Sequence, residues 1–414
     1  MGSHRGGRRA DRTHHGVVDP HGGHGHSHGG PPPELDLARG ARAVVAALLA
    51  AALVAVVVGI IGLWPDRDRV DKLAHSLPFA ASGTTFPDAT VVKVGTCPAD
   101  ETKTCPLRVE LADGSRTTVQ IPHADAASGL GPGDRVELQR TSAGEGGQAS
   151  YSFFRTDRGT SLWLIAGLFV LVVLAVARLR GLLALVGLAV GAVVIGGWIL
   201  PSLLSGHSPL LVALTGSAAI LFVVLYLAHG VSVRTSAALL GTLGGLLVTG
   251  LLGLLSVHLA HLSGVSDEGS TLLSGYGTGL SFQALMTCTI VIAGLGVLND
   301  VTITQASAVW ELRAASPGMT RLQLWRSAMR IGSDHIASTI YTIVFAYAGT
   351  ALMTLLVIQL YDRPLWDLIG TEQVSEEVVR SLVSAIGLVL AVPLTTAVAI
   401  LTVGSARRAA ESDL

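Results

Sequence analysis

Two stretches of this 414-residue chain set polar side chains into runs that are otherwise apolar. In the first, Leu298 is followed by Asn299, Asp300, Val301, Thr302, Ile303, Thr304, Gln305, Ala306 and Ser307. Asp300, Thr304 and Ser307 stand at i, i+4 and i+7, so a helix would stack them into one stripe with Asn299 beside it. In the second, Asp334, Ser338 and Thr342 stand at i, i+4 and i+8, and Tyr341 joins at i+7. His335 and Thr339 form the adjacent row. An antiparallel helix pair could bring the two stripes together. Two carboxylates and an imidazole in one place could bind a cation or relay protons, because such surroundings spread pKa values. The structural alternative is a hydrogen-bonded clasp in which Asp334 caps a helix start.

The depth of Asp300 decides how much this matters. No helix breaker follows Leu298 until Pro317, so the helix can run to about residue 315. If Trp310, Glu311 and Arg313 mark a membrane interface, Asp300 lies about 15 Å deeper. If the span stops at Leu298, Asp300 is interfacial. An ionisable group at the bilayer centre costs about 2.5–3.5 kcal/mol on insertion scales and usually faces the bundle interior. After Pro317-Gly318, Thr320 can cap a second helix. There Leu322, Trp325 and Met329 share one face, and Arg326 and Arg330 share another. This is the pattern of a helix lying on the inner membrane surface, or of a solvated connecting helix.

The elements around these stripes read as membrane spans. Half of the residues are hydrophobic and 14% are charged, against about a quarter charged in soluble domains. Eight apolar stretches are long enough to span, at roughly 43–63, 161–178, 181–203, 209–229, 235–258, 278–301, 333–360 and 378–403. The first reads as an uncleaved anchor, since its apolar run is longer than a signal peptide's and follows a polar lead. Arg178, Arg180, Arg234, Arg313, Arg321, Arg326, Arg330, Arg407 and Arg408 fall in loops of one side, which predicts both termini to be cytoplasmic. Arg363 and Arg380 are the exceptions, among the acidic Asp362, Asp367, Glu372, Glu376 and Glu377. Gly187 with Gly191, and Gly241, Gly244, Gly245, Gly250 and Gly253, predict close helix packing.

Residues 65–160 are too polar to span. Alternating runs at 90–94, 107–111, 117–121 and 135–138, parted by Asp113-Gly114 and by Gly131-Pro132-Gly133-Asp134, predict about five strands. The expectation is a small extracytoplasmic β-rich domain between helices one and two, an OB-like barrel or a sandwich. Its few aromatics, chiefly Tyr151, Phe153 and Phe154, make a structural or protein-contact module the simpler reading. Cys97 and Cys105 are disulfide candidates on that side of a membrane, with a zinc site as the rival. Cys288 reads as a small packing residue.

Half of the 14 histidines precede Gly30. His21, His24, His26 and His28 sit among glycines before three prolines, a composition that predicts a disordered lead over residues 1–42. Clustered imidazoles bind metal weakly in any such tail, so no metal or other cofactor is assigned. Residues 406–414 form a short tail.

Together the residues predict a polytopic α-helical membrane protein: an anchor at 43–63, a β-rich domain at 65–160 and a seven-helix bundle at 161–405. The run from Leu295 through Asn299, Asp300, Thr302 and Thr304 to Glu311 resembles the YibE/F family of bacterial multi-span membrane proteins. So does the series Gly332, Asp334, Thr339, Thr342, Ala346, Tyr347 and Gly349. The resemblance covers about residues 43–405. It implies one N-terminal span, an outer β-rich segment, a seven-span bundle and the bacterial cytoplasmic membrane, and it implies no particular activity.

Three functional classes remain. One is secondary or passive transport of a small solute or ion past Asp300 and Asp334. Another is a scaffold or regulator that docks a protein through the extracytoplasmic domain. The third is an intramembrane enzyme, and no metalloprotease, serine-hydrolase or phosphate-loop signature supports it. The net charge of −1 gives no case for nucleic acid, so the partners are lipid and a possible protein, with oligomeric state open.

Overall fold

The computed structural model describes residues 39–73, 76, 78–142, 149–275 and 279–404. The histidines at 21, 24, 26 and 28 and the tail at 406–414 lie outside the described residues. The chain begins with α1 (Arg39–Gly62) and a short α2 (Arg67–Leu73). The β strands follow: β1 (Thr84–Thr85), β2 (Asp88–Val94), β3 (Cys105–Leu111), β4 (Arg116–Ile121), β5 (Arg135–Thr141) and β6 (Ser150–Thr156). A short α3 (His123–Ala127) links β4 to β5.

All pairings in this sheet are antiparallel, in the order β1-β5-β2-β3-β4, with β6 on β5. Register breaks at Val91/Lys93 and at Glu137/Leu138 bend it. Strands β4 and β6 come together, so the sheet curls into a half-barrel. Alternation decides which face is inside. Ala89 and Val91, then Leu107 and Val109, then Val119 and Ile121, then Val136 and Leu138 fill the core, while their neighbours point out.

The helical part holds α4 (Gly159–Val194), a π-turn (Ile195–Ile199), α5 (Leu200–Leu204), α6 (Pro209–His229) and α7 (Val233–Leu259). Then come α8 (Glu268–Gly275), α9 (Phe282–Ala315), α10 (Arg321–Thr350), α11 (Leu352–Leu360), α12 (Leu365–Ile369) and α13 (Glu372–Thr402). Among the described residues, six helices are long and apolar enough to cross a membrane. The count is seven if α10 and α11, which meet at a 62° bend, form one broken span. The expected stretches 161–178 and 181–203 run together as one 46-residue helical segment, Gly159–Leu204. Within it Arg178 leaves helical geometry at φ 50°, ψ −127°.

Helix α7 is the hub, because its glycines let neighbours approach its backbone. A Cβ on Gly245 would lie 2.8 Å from Ala391 of α13 and 3.1 Å from Leu298 of α9. One on Gly250 would meet Leu210 and Leu214 of α6. Gly241 abuts Thr395 of α13. In lipid, where apolar burial between helices gains little, such contact supplies the packing energy. By contrast, residues 160–172 of α4 are exposed throughout, an apolar surface for lipid to cover.

The helix opening after Pro317 differs from the expected surface helix. It is the first part of α10, with no break before Gly332. The Thr320 hydroxyl accepts from Gln323 N–H at 3.2 Å, and the Gln323 side chain accepts from Thr320 N–H at 2.9 Å. Leu324 and Ala328 bury against Val309, Ala399 and Ile400, with Trp325 packed alongside, while Leu322 stays exposed. The bundle core therefore claims a face rotated from the one the Leu322–Trp325–Met329 spacing suggests.

Candidate functional site

Helices α9 and α10 form the antiparallel pair that carries both polar stripes. Gln305 sets their register. Its Nε2 donates to the Ala328 carbonyl at 3.0 Å and to the Thr396 hydroxyl of α13 at 2.7 Å. Gly332 backs onto the same side chain, and a Cβ there would lie 2.9 Å from Gln305 Oε1 and 2.7 Å from Val392. With residue 305 lying between 328 and 332 on the facing helix, position 300 is level with residues 334–335.

The axial position follows from α7. The Thr242 and Thr302 hydroxyls are 2.6 Å apart, and Gly245 sits under Leu298. Asp300 is therefore level with residues 243–244, about 15 Å along the axis from Arg234 at the start of α7. Trp310 packs beside Val309 in the cluster at that end of the bundle. The Arg313 guanidinium is buried and caps the chain by donating to the carbonyls of Met319 (2.6 Å) and Pro317 (3.3 Å).

The side chains of the stripes are placed unequally. Asp300, Asp334, His335, Ser338, Tyr341 and Thr342 are exposed on the protein surface. Asn299, Thr304, Ser307 and Thr339 are half-buried. The hydroxyls of Thr304, Ser307, Thr339 and Thr342 each donate to the carbonyl four residues back, and Ser338 donates to the His335 carbonyl. These bonds hold each hydroxyl on its own helix. Among the described residues, the Asp300 and Asp334 carboxylates and the His335 ring make no hydrogen bond or ion pair. The Asn299 Oδ1 is buried without a partner. Tyr341 stacks on Phe345 of the same helix, ring centroids 6.4 Å apart.

The buried polar groups lie on the opposite face. Thr242, Thr249, Thr302, Gln305, Thr395 and Thr396 are essentially inaccessible and form a seam among α7, α9 and α13. Gln305 follows the Asp300 motif directly, but periodicity from Asp300 leaves it off the stripe. Its burial has one readable signal, a polar residue on the same face as Leu298, Val301 and Val309.

In the β domain Cys97 and Cys105 form a disulfide with an S–S distance of 2.10 Å. His123, at the start of α3, lies within 4.8 Å of both sulfurs. Nothing in the spacing of the two cysteines pointed to that histidine.

A family model described as YibE/F-like protein matches residues 165–405, more than half of the chain. The chain belongs to the YibE/F-like family. The match runs from within α4 to beyond α13, so the family signature is the helical bundle, and it includes both polar stripes. Membership and the apolar helices together mark a membrane protein. No curated protein and no solved structure matches the chain.

Proposed function

We propose that this YibE/F-like protein is a non-enzymatic transporter or permeation protein of the bacterial cytoplasmic membrane, passing a small solute or ion along Asp300 and Asp334. One observation carries the reading. Asp300 is level with Asp334 and His335, about 15 Å along the axis from the start of α7, and none of the three has a hydrogen-bond or ion-pair partner among the described residues. Carboxylates at that depth cannot face hydrocarbon without large cost. Water or a second copy must cover them, and a wetted pair of carboxylates with an imidazole is the lining of a cation or proton path.

The same reading counts eight spans. A 46-residue helix is about 69 Å long, over twice the hydrocarbon thickness. Two spans meeting at Arg178 resolve that excess. The arginine-rich loops support a topology with both termini in the cytoplasm and the half-barrel, read as OB-like, outside. Flux into liposomes tests the idea. Asp300→Asn and Asp334→Asn should each bring flux to background, and unchanged flux of every candidate ion would refute it.

A second reading, protein docking by the β domain, is favoured by an aromatic cluster. Phe79, Phe86 and Phe154 stand with ring centroids 4.8–5.6 Å apart, and Phe79 is 78% exposed. If Phe79→Ser in the full chain removes a partner captured by the wild type, while flux variants behave as wild type, docking is the function.

A further inference from the structure

A second polar site lies where α10 breaks. The 62° bend between α10 and α11 opens a cavity of about 500 Å³ against the N-terminal turns of α13 and the loop before α8. Val344, Leu355, Val374, Val378 and Leu382 supply apolar walls. Glu376 and Glu377 also line it, with Arg380 one turn further on.

The carboxylates are not satisfied. Glu376 is 6% exposed. Its Oε2 accepts from the Ser266 hydroxyl at 2.6 Å, and its Oε1 is buried with no partner. Glu377 Oε1 accepts from Arg380 Nη1 at 2.8 Å, and its Oε2 is likewise buried and unpartnered. The third acid in the lining, Asp267, is committed elsewhere: its Oδ1 accepts from Ser270 N–H at 2.6 Å. One guanidinium thus faces two glutamates, and its own Nε and two carboxylate oxygens are buried without a partner. Buried polar atoms in this state cost free energy until a donor or a positive charge reaches them.

Two carboxylates facing one guanidinium favour a cationic donor, and the surroundings narrow its kind. Among the described residues, the one group of Cys, His, Asp or Glu ligand atoms close enough to share a metal ion is Cys97, Cys105 and His123. The glutamates at the helix break belong to no such group of three or more. The cavity is instead of small-molecule size, with mostly apolar walls and a few polar groups at one side. That combination fits a body of several carbons with a charged N–H donor. We propose that the pocket at the α10–α11 break binds a small organic cation, a protonated amine with an apolar substituent, whose ammonium group bridges Glu376 and Glu377. The site lies apart from Asp300 and Asp334 and stands whether or not those residues line a path.

Titration calorimetry on the full chain in nanodiscs, with n-propylammonium as probe, tests this. Saturable one-site binding is expected, and neutral 1-butanol should give none. Glu376→Gln and Glu377→Gln should each weaken binding at least about tenfold, the loss of a charge-assisted hydrogen bond. Ala348→Trp, which fills the cavity and leaves the carboxylates intact, should abolish binding. Asp300→Asn should bind as the wild type does, which separates this site from the transport reading. Absence of saturable binding, an equal response to 1-butanol, saturation by Na⁺ or Ca²⁺ in place of the amine, or full binding in the double glutamine variant would each overturn the proposal.

Discussion

Helix α9 presents two polar faces that behave in opposite ways. The inner face joins Thr302 to Thr242 and Gln305 to Thr396, all buried among α7 and α13. The outer face carries Asp300, which is exposed and has no hydrogen-bond or ion-pair partner among the described residues. The inner groups are small and neutral, and neighbours or their own helix hold most of them. The outer face holds the ionisable group, and it is left open. Inside a bundle a hydroxyl or amide can be satisfied locally, so it stabilises one packing without needing solvent. A carboxylate needs a counter-charge or water, so where the fold supplies neither, something outside the fold does. The inner seam accordingly reads as structure, and the proposed path runs along the outer row.

That contrast can be broken most severely at the glycines of the seam. Gly241→Val drives a side chain into Thr395 and the α13 backbone, so the α7–α13 contact must open. Destabilisation beyond the usual 1–3 kcal/mol for overpacking is expected, read as loss of the monodisperse peak in size-exclusion chromatography. A normal elution profile would mean that the seam is looser than its contacts imply.

On the outer face the expected effect is on activity and not on folding. Asp300→Asn and Asp334→Asn should abolish flux while shifting unfolding free energy by no more than about 0.5 kcal/mol, the range for open surface positions. A large stability loss in either variant would move that residue to the structural side of the comparison. Cysteine accessibility at positions 298–307 sharpens the same point. Positions 299, 300, 304 and 307 should label from water, whereas 302, 305 and 306 should not.

A smaller effect is expected within the seam. The Gln305–Thr396 pair should show a coupling of about 0.6 kcal/mol in a double-mutant cycle, as interhelical hydrogen bonds in membranes do. Zero coupling would say that Gln305 matters through shape alone, by filling the space against Gly332.

The smallest effect concerns the loop that borders the amine pocket. The Asp267 carboxylate is held below the usual carboxylate range, first by the Ser270 backbone N–H and then by its side chain. A group with a lowered folded pKa contributes stability above its unfolded pKa and loses it as pH falls through the folded value. Order in α8 should therefore persist at neutral pH and decline only as pH drops below the ordinary Asp range. Asp267→Asn should flatten that dependence, measured by the amide signals of residues 268–275.

Much of the architecture was legible in order of residues. Alternation in 107–111 and 117–121 marks strands because a sheet with one buried face imposes a period of two. Apolar length marks spans because lipid leaves the backbone no partner but itself. Thr320 marks a helix start, and the structure adds Gln323 as the other half of the cap. The spacing of Asp300, Thr304 and Ser307 puts them on one stripe of a helix, but a stripe has no address until the neighbours are known. Leu322, Trp325 and Met329 show the same limit, since the core takes the face of Leu324 and Ala328 instead.

The sequence alone determined that the chain lives largely in lipid, where its helices and strands fall, and which few ionisable groups sit among apolar runs. These are local properties, set by hydrophobic length, periodicity and capping. Tertiary structure alone decided that Gln305 is buried while Asp300 is open, that His123 stands beside the Cys97–Cys105 disulfide, and that Glu376 and Glu377 share a cavity with a broken helix. Each of those depends on which distant segment packs against the residue. Contacts between α7, α9 and α13 are fixed by the summed shapes of three helices far apart in the chain, which no single stretch of residues contains.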